Sequence, residues 1–378
     1  MRALILTDES FLSREPDMLR RLEIGLTGEG VSVMHAMPDT AADLAEAGLF
    51  ARTITYPTRT PWFMERWRMR QLRDAMILAD EDLPGANGQV DLIHVFGEGA
   101  WGLGARLARE QRSPLILEVW SAGIVEKAAA LASSMPPDLL TTLLAPDPHI
   151  EQALRREDGS LVVRGERWGV HTPAQPNAAP EASQAIGVMV IGEGQSDSGF
   201  IEAFEGVCRA AKRQARMLIF ADADGVARSN AWNLAEQAGV LEKLTLVPRM
   251  EGARSLVLRG SVLVCPEASG EQRTIVLDAM AHAMAVVAMR DPMVSYLKDG
   301  QTAHLVSRPA AEEWATAIEV QVVDRTQARQ LGEAARSYVS ANHRVSTHVA
   351  TVLDVYERVV SGESLPFPVS ADGDSAGR

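Results

Sequence analysis

The chain has 378 residues, 46% of them hydrophobic and 23% charged, a balance that excludes a fibrous or disordered protein and suggests two domains. With 50 acidic against 37 basic residues the formal net charge is -13, which argues against holding a polyanion such as nucleic acid by bulk charge. Two cysteines, Cys208 and Cys265, rule out a disulfide framework and a cysteine-built zinc site.

Residues 2–7 (RALILT) form a short apolar run without alternation, as expected of a strand buried on both faces of a parallel sheet. The run is too short for a signal peptide, and no stretch approaches the roughly 20 apolar residues that span a bilayer, so a reducing cytoplasm is the expected compartment. Residues 8–16 read as a polar loop. Met18, Leu19, Leu22 and Leu26 then recur at helical spacing up to Gly28 and Gly30, and residues 31–34 read as the next strand. Strand, helix and strand with short connections point to a parallel sheet.

Residues 57–82 place Trp62 and Trp67 among Arg59, Arg66, Arg68, Arg70 and Arg73, an amphipathic basic helix in an acidic protein. It has two readings. One is a surface helix with its aromatics packed inward; the other is a peripheral contact for an anionic acceptor or membrane headgroups. Strands are expected at 91–96, 114–120 and 139–145, with a turn at 97–99 and a helix at 100–111.

Residues 172–184 hold three prolines and four alanines without periodicity and read as a linker. The alternation then restarts. Strands are expected at 187–191, 217–220, 244–247, 261–265, 285–288 and 304–306, and helices at 199–214, 229–239 and 275–284. Further helices are expected at 310–322, 325–341 and 345–361, before a disordered tail at 362–378. The expected domains are 1–171 and 185–344, joined by the linker and followed by the helix at 345–361. The fold class is therefore α/β, two Rossmann-like domains facing across a cleft, with ligands beyond the carboxyl ends of the strands.

Several stretches in order resemble the GT-B glycosyltransferases, specifically the retaining "glycosyltransferases group 1" family. Asp91-Leu92-Ile93-His94-Val95 with Pro114-Leu115-Ile116-Leu117 is similar to one first-domain segment, and Trp168-Gly169-Val170-His171 to the turn that closes that domain. Ile201-Glu202-Ala203-Phe204 is similar to the family's "I-E-A-F" helix. Val262-Leu263-Val264-Cys265-Pro266, then Leu277-Asp278-Ala279-Met280-Ala281, then Ala285-Val286-Val287-Ala288 carry the strongest likeness. Residues 296–306 and 349–360 resemble the family's later motifs, and the likeness implies that helix 345–361 crosses back to the first domain.

The resemblance implies a nucleotide sugar bound on the second domain, with Asp278 at the ribose-holding position. The family's sugar-facing Glu falls on Gly270, and Glu271, one residue later, is the nearest acid. The family's diphosphate-binding Arg and Lys fall on Glu193 and near Ser198. Arg249 and Arg273 are the substitutes in reach, with backbone N–H groups at the start of the helix expected at 275–284, and Gly192, in the turn after the strand 187–191, is a further donor-binding candidate. The glycine-rich loop after strand one is Ser10 to Pro16 here, without glycine, and the His of the family's "T-V-H" strand is Trp120. His94, inside an apolar strand, reads as a core histidine.

Asp222-Ala223-Asp224 reads as turn-forming aspartates before Gly225 rather than a metal pair. Gly97-Glu98-Gly99 and Gly192-Glu193-Gly194 do not complete a nicotinamide fingerprint. The resemblance thus implies a metal-independent hexosyltransferase that needs no cofactor beyond its nucleotide-sugar donor, acting on a carbohydrate or lipid-linked acceptor. The alternatives are a catalytically inactive homologue serving as a binding or assembly partner in polysaccharide biosynthesis, and a sugar-nucleotide epimerase of the same fold.

Overall fold

The computed structural model of the chain describes residues 1–44, 51–58, 64–80, 87–176, 185–195 and 199–362. Two parallel sheets organise it. The first holds β1 (Arg2–Thr7), β2 (Ser32–Pro38), β3 (Arg52–Tyr56), β4 (Leu92–Phe96), β5 (Leu115–Glu118), β6 (Thr141–Ala145) and β7 (Val162–Gly165), in the order β3-β2-β1-β4-β5-β6-β7. The second holds β8 (Ile186–Val190), β9 (Met217–Asp222), β10 (Leu244–Val247), β11 (Val262–Cys265), β12 (Ala285–Met289) and β13 (His304–Val306), in the order β10-β9-β8-β11-β12-β13.

The first lobe carries α1 (Glu9–Arg14), α2 (Pro16–Gly28), α3 (Glu65–Ala79), α4 (Glu98–Gln111), α5 (Val125–Ser133) and α6 (Pro148–Glu157). After it come α7 (Phe200–Arg213), α8 (Ala223–Ser229), α9 (Trp232–Ala238), α10 (Arg254–Val257), α11 (Thr274–Ala281), α12 (Ala311–Val323), α13 (Arg325–Asn342) and α14 (Val345–Ser361). Helices cover both faces of each sheet, which is why the central strands β1, β4, β8 and β11 are apolar runs rather than alternating ones.

Each sheet reverses direction at its first strand. β1 pairs with both β2 and β4, and β8 with both β9 and β11. At such a switch point the loops leave in opposite directions and open a crevice at the strand ends. Here the crevices are the chain after Thr7 and Phe96 in one lobe, and after Val190 and Cys265 in the other.

The last helix returns to the first lobe. Val349, Val352, Val355, Tyr356 and Val359 of α14 are buried in the same core as Leu4, Leu6 and Leu22. Burying each such side chain is worth roughly 1.5–3 kcal/mol before entropy. Gly25 of α2 lets the helices touch, since a Cβ there would overlap Val349. The chains cross where the Val170 N–H donates to the His343 carbonyl at 2.9 Å.

Several expectations need correction. Residues 8–16 are not a loop: Asp8 caps α1, its Oδ1 accepting the Phe11 N–H at 2.8 Å, and Pro16 starts α2. The first sheet has two further strands, β3 and β7, both short edge strands. The helix expected at 229–239 is α9, which starts only at Trp232 because Asn230 turns left-handed at the end of α8, a helix the sequence reading did not expect. Trp67 on α3 is 43% exposed, so the inward-packed aromatic reading fails for it; Met69, Leu72 and Met76 are the buried face. Trp62, residues 177–184 of the linker, Ser198 and residues 363–378 lie outside the described residues. Among the described residues no helix is long and apolar enough to cross a membrane.

Candidate functional site

The site begins with the turn after β8. Residues 192–194 present successive backbone N–H groups at the switch point, a geometry suited to an anion. The anion already there is Glu267, from the loop after β11. Its carboxylate accepts the N–H of Glu193 at 2.7 Å and of Gly194 at 2.9 Å. A Cβ on Gly192 would lie 3.1 Å from the same carboxylate, so the glycine makes room for it.

The start of α11 is a second anion-binding position, because its first N–H groups have no partner within the helix. Glu15 of the first lobe fills it, accepting the Thr274 N–H at 2.9 Å and the Thr274 hydroxyl. The same carboxylate takes Arg254 Nη2 at 3.1 Å. Burial raises the Glu15 carboxyl above its ordinary range, although Arg254 and Thr274 pull the other way.

Asp278, one turn into α11, is 4% exposed and held by two guanidinium groups. Arg21 of α2 approaches it at 3.0 Å and Arg254 more closely. Glu271 pairs with Arg14 and with Arg273, each at 2.8 Å, and Arg14 also reaches Glu193. Burial pushes Glu271 up, but Arg273 and Arg14 outweigh it and hold the carboxyl below the ordinary range. Arg273 also meets Glu251 at 3.0 Å.

Backbone closes what the charges leave open. The Gln272 N–H donates to the Trp120 carbonyl at 2.9 Å, and the Ala122 N–H to the Gly270 carbonyl at 3.0 Å. Ser121 and Glu271 thus form an antiparallel bridge between the lobes. Trp120, 8% exposed, packs edge-on to Phe11 with the Arg14 guanidinium 5.4 Å from its ring. A cavity of about 530 Å³ remains beside this seam, lined by Glu193, Glu267, Glu271, Arg273, Met289 and Arg290.

Of the residues singled out from the sequence, Glu271, Asp278 and Arg273 come together at the lobe interface, and Gly192 borders the same cavity through Glu193. Arg249 stands apart, exposed on the turn after β10 with its backbone left-handed at φ 46°. His94 is fully buried, between the Tyr356 hydroxyl at 2.9 Å and Glu118 at 3.3 Å. Asp222 caps α8 through the Asp224 and Gly225 N–H groups and takes the Met250 N–H as well, which occupies both of its oxygens. The sequence reading missed Arg14, Glu15, Arg21, Arg254 and Glu267. For Glu15 one local signal existed, its place between the Asp8-capped helix and Pro16.

The comparisons with known proteins bear on this geometry. Residues 186–323 match the family model described as "Glycosyl transferases group 1". The match covers part of the second lobe, and the solved structures that superpose on the chain show its GT-B fold. Sucrose-phosphate synthase from Thermosynechococcus elongatus superposes over 96% of this chain and 100% of its own, with a TM-score of 0.74 at 16% identity. HepE from Anabaena, solved with UDP and glucose, covers 94% of this chain and 99% of its own, with a TM-score of 0.71 at 12% identity. WaaG, a glycosyltransferase involved in lipopolysaccharide biosynthesis, covers 94% and 99%, with a TM-score of 0.65 at 13% identity. No curated protein matches the sequence. Within the GT-B frame both switch points face the seam between lobes, and in this chain the seam is occupied by its own side chains.

Proposed function

We propose that the protein transfers a hexosyl group from a nucleotide sugar to a carbohydrate or lipid-linked acceptor, with retention and without a metal ion. The observation that carries this reading is that Asp278 and the Glu271–Arg273 pair all lie at the interface between lobes arranged as in GT-B glycosyltransferases. Asp278 would accept the ribose hydroxyls and Glu271 would face the sugar. Arg273, with the backbone beyond Gly192, would take the charge that develops on the departing diphosphate, and Arg249 lies further out. The donor's C1–O bond breaks with its electron pair going to the diphosphate. The acceptor oxygen bonds C1 on the same face, and its proton passes to the leaving phosphate oxygen.

One observation favours the second reading, a non-catalytic GT-B homologue acting as a binding or assembly partner. At the seam Glu15, Asp17, Glu193, Glu251, Glu267, Glu271 and Asp278 surround Arg14, Arg21, Arg254 and Arg273. Withdrawing the first lobe still leaves four carboxyl groups, Glu251, Glu267, Glu271 and Asp278, around Arg254 and Arg273. A diphosphate would enter a field of its own sign. Calorimetric titration with UDP, GDP and their hexose conjugates, followed by an assay for nucleotide release, separates the readings. The transferase reading expects saturable heat and release with at least one donor; silence with every nucleotide at millimolar concentration supports the second.

The exposed arginines of α3, together with Trp67 and Leu78, support a peripheral contact with anionic headgroups.

A further inference from the structure

We propose that the seam is a latch: Glu15 and the 120–122/270–272 backbone bridge hold the lobes shut over the donor position, and Gly270 is the residue that permits closure. The inference rests on reading that interface as the donor position, and it goes beyond that reading in stating that the interface is closed by the chain itself.

Gly270 carries the argument. It stands where the family pattern has its sugar-facing Glu. Its backbone is left-handed at φ +67°, a conformation that favours glycine. Its carbonyl receives the Ala122 N–H from the opposite lobe, and its own N–H donates to Asp291 at 2.7 Å. A Cβ at this position would lie 2.7 Å from the Ala122 Cβ, inside contact distance. Any side chain there, a Glu included, therefore conflicts with the bridge.

Glu15 supplies the second half. Its oxygens satisfy the start of α11 and one face of Arg254, an anion-binding position that directly follows Arg273, the residue assigned above to the diphosphate. Thr274 and Arg254 lie 259 and 239 residues along the chain from Glu15, so these contacts form only when the lobes meet. Opening must then precede donor entry, and apparent affinity falls by the fraction of molecules that are open.

The test uses the full chain and two independent variants, Gly270→Ala and Glu15→Gln. Circular dichroism establishes that each is folded. Small-angle scattering and limited proteolysis report opening, and calorimetry with UDP and GDP reports binding. The latch expects both variants to have a larger radius of gyration and faster cleavage near the seam than the wild type. If the interface is the donor position, nucleotide affinity rises roughly tenfold, as when the open fraction goes from about a tenth to near one. Variants that open and still bind no nucleotide support the latch and overturn the donor reading. Folded variants as compact and protease-resistant as the wild type overturn the latch, whatever the nucleotides do.

Discussion

Arg254 joins more partners across the seam than any other single side chain described there. Its guanidinium meets Glu15 at 3.1 Å, Asp17 at 3.7 Å, the Arg14 carbonyl at 3.1 Å and, more closely, Asp278. Burial disfavours its charge, but Glu15 and Asp278 more than restore it. Removing one member of a buried charge group leaves the others unpaired and costs about 3–5 kcal/mol, whereas an exposed pair is worth under about 1 kcal/mol. Arg254→Met is therefore expected to lower the thermal midpoint sharply, while Arg209→Met, on an exposed helix–helix pair, leaves it nearly unchanged. Equal midpoints for the two variants would show that the seam network does not stabilise the molecule. Asp278 and Arg273 were legible because they lie in or next to a run whose order resembles a family motif. Arg254 and Glu15 were not: the place of Glu15 before Pro16 marks only a helix boundary, and no local feature reports a pairing across 239 positions of chain.

Among the elements, the central strands were legible and the edges were not. β1, β4, β8 and β11 are buried on both faces, so their apolar runs stand out against the flanking turns. β3 reads Arg-Thr-Ile-Thr-Tyr and buries only alternate residues, and β7 has four residues, one of them fully buried; neither rises above the surrounding polar sequence. α1 was hidden because six residues are too few for a periodic signal, and only its cap and the following Pro16 mark it. For α3 the periodicity was right and the orientation of Trp67 was not. Its outer side presents Arg66, Arg70 and Arg73 with Trp67 and, 65% exposed, Leu78. Such a helix gains from anionic lipid through both charge and apolar insertion. The wild type is expected to float with vesicles containing phosphatidylglycerol and not with pure phosphatidylcholine. Trp67→Ala combined with Arg70→Glu should abolish flotation. Equal recovery of wild type and variant would remove α3 from any membrane role.

Across the whole molecule, the crossing of the chain between lobes is tied to proton binding. His343 sits where α13 passes into α14, its Nδ1 3.0 Å from the Trp168 carbonyl and its ring edge-on to Tyr296. Burial lowers its pKa from 6.5 to about 4; Arg167 and His348 add to this, while the Trp168 carbonyl and Asp147 oppose it. His94, which holds α14 through Tyr356, is lowered further by burial and by His348. A histidine whose folded pKa is depressed stabilises fully above its unfolded value, and that stability disappears as pH falls through the folded one. For His343 alone the loss approaches about 3 kcal/mol between about pH 6.5 and pH 4. Glu118 acts in the opposite sense: burial and the neighbouring Glu166 raise it well above the ordinary range, so its contribution is complete at low pH and is lost as pH rises through that value. His343→Phe keeps a ring against Tyr296 but cannot take up a proton. Chemical denaturation of wild type and variant across this range should therefore show a shallower acid limb for the variant. If both lose stability equally on acidification, the neutral imidazole at the crossing is not what ties the interlobe connection to pH.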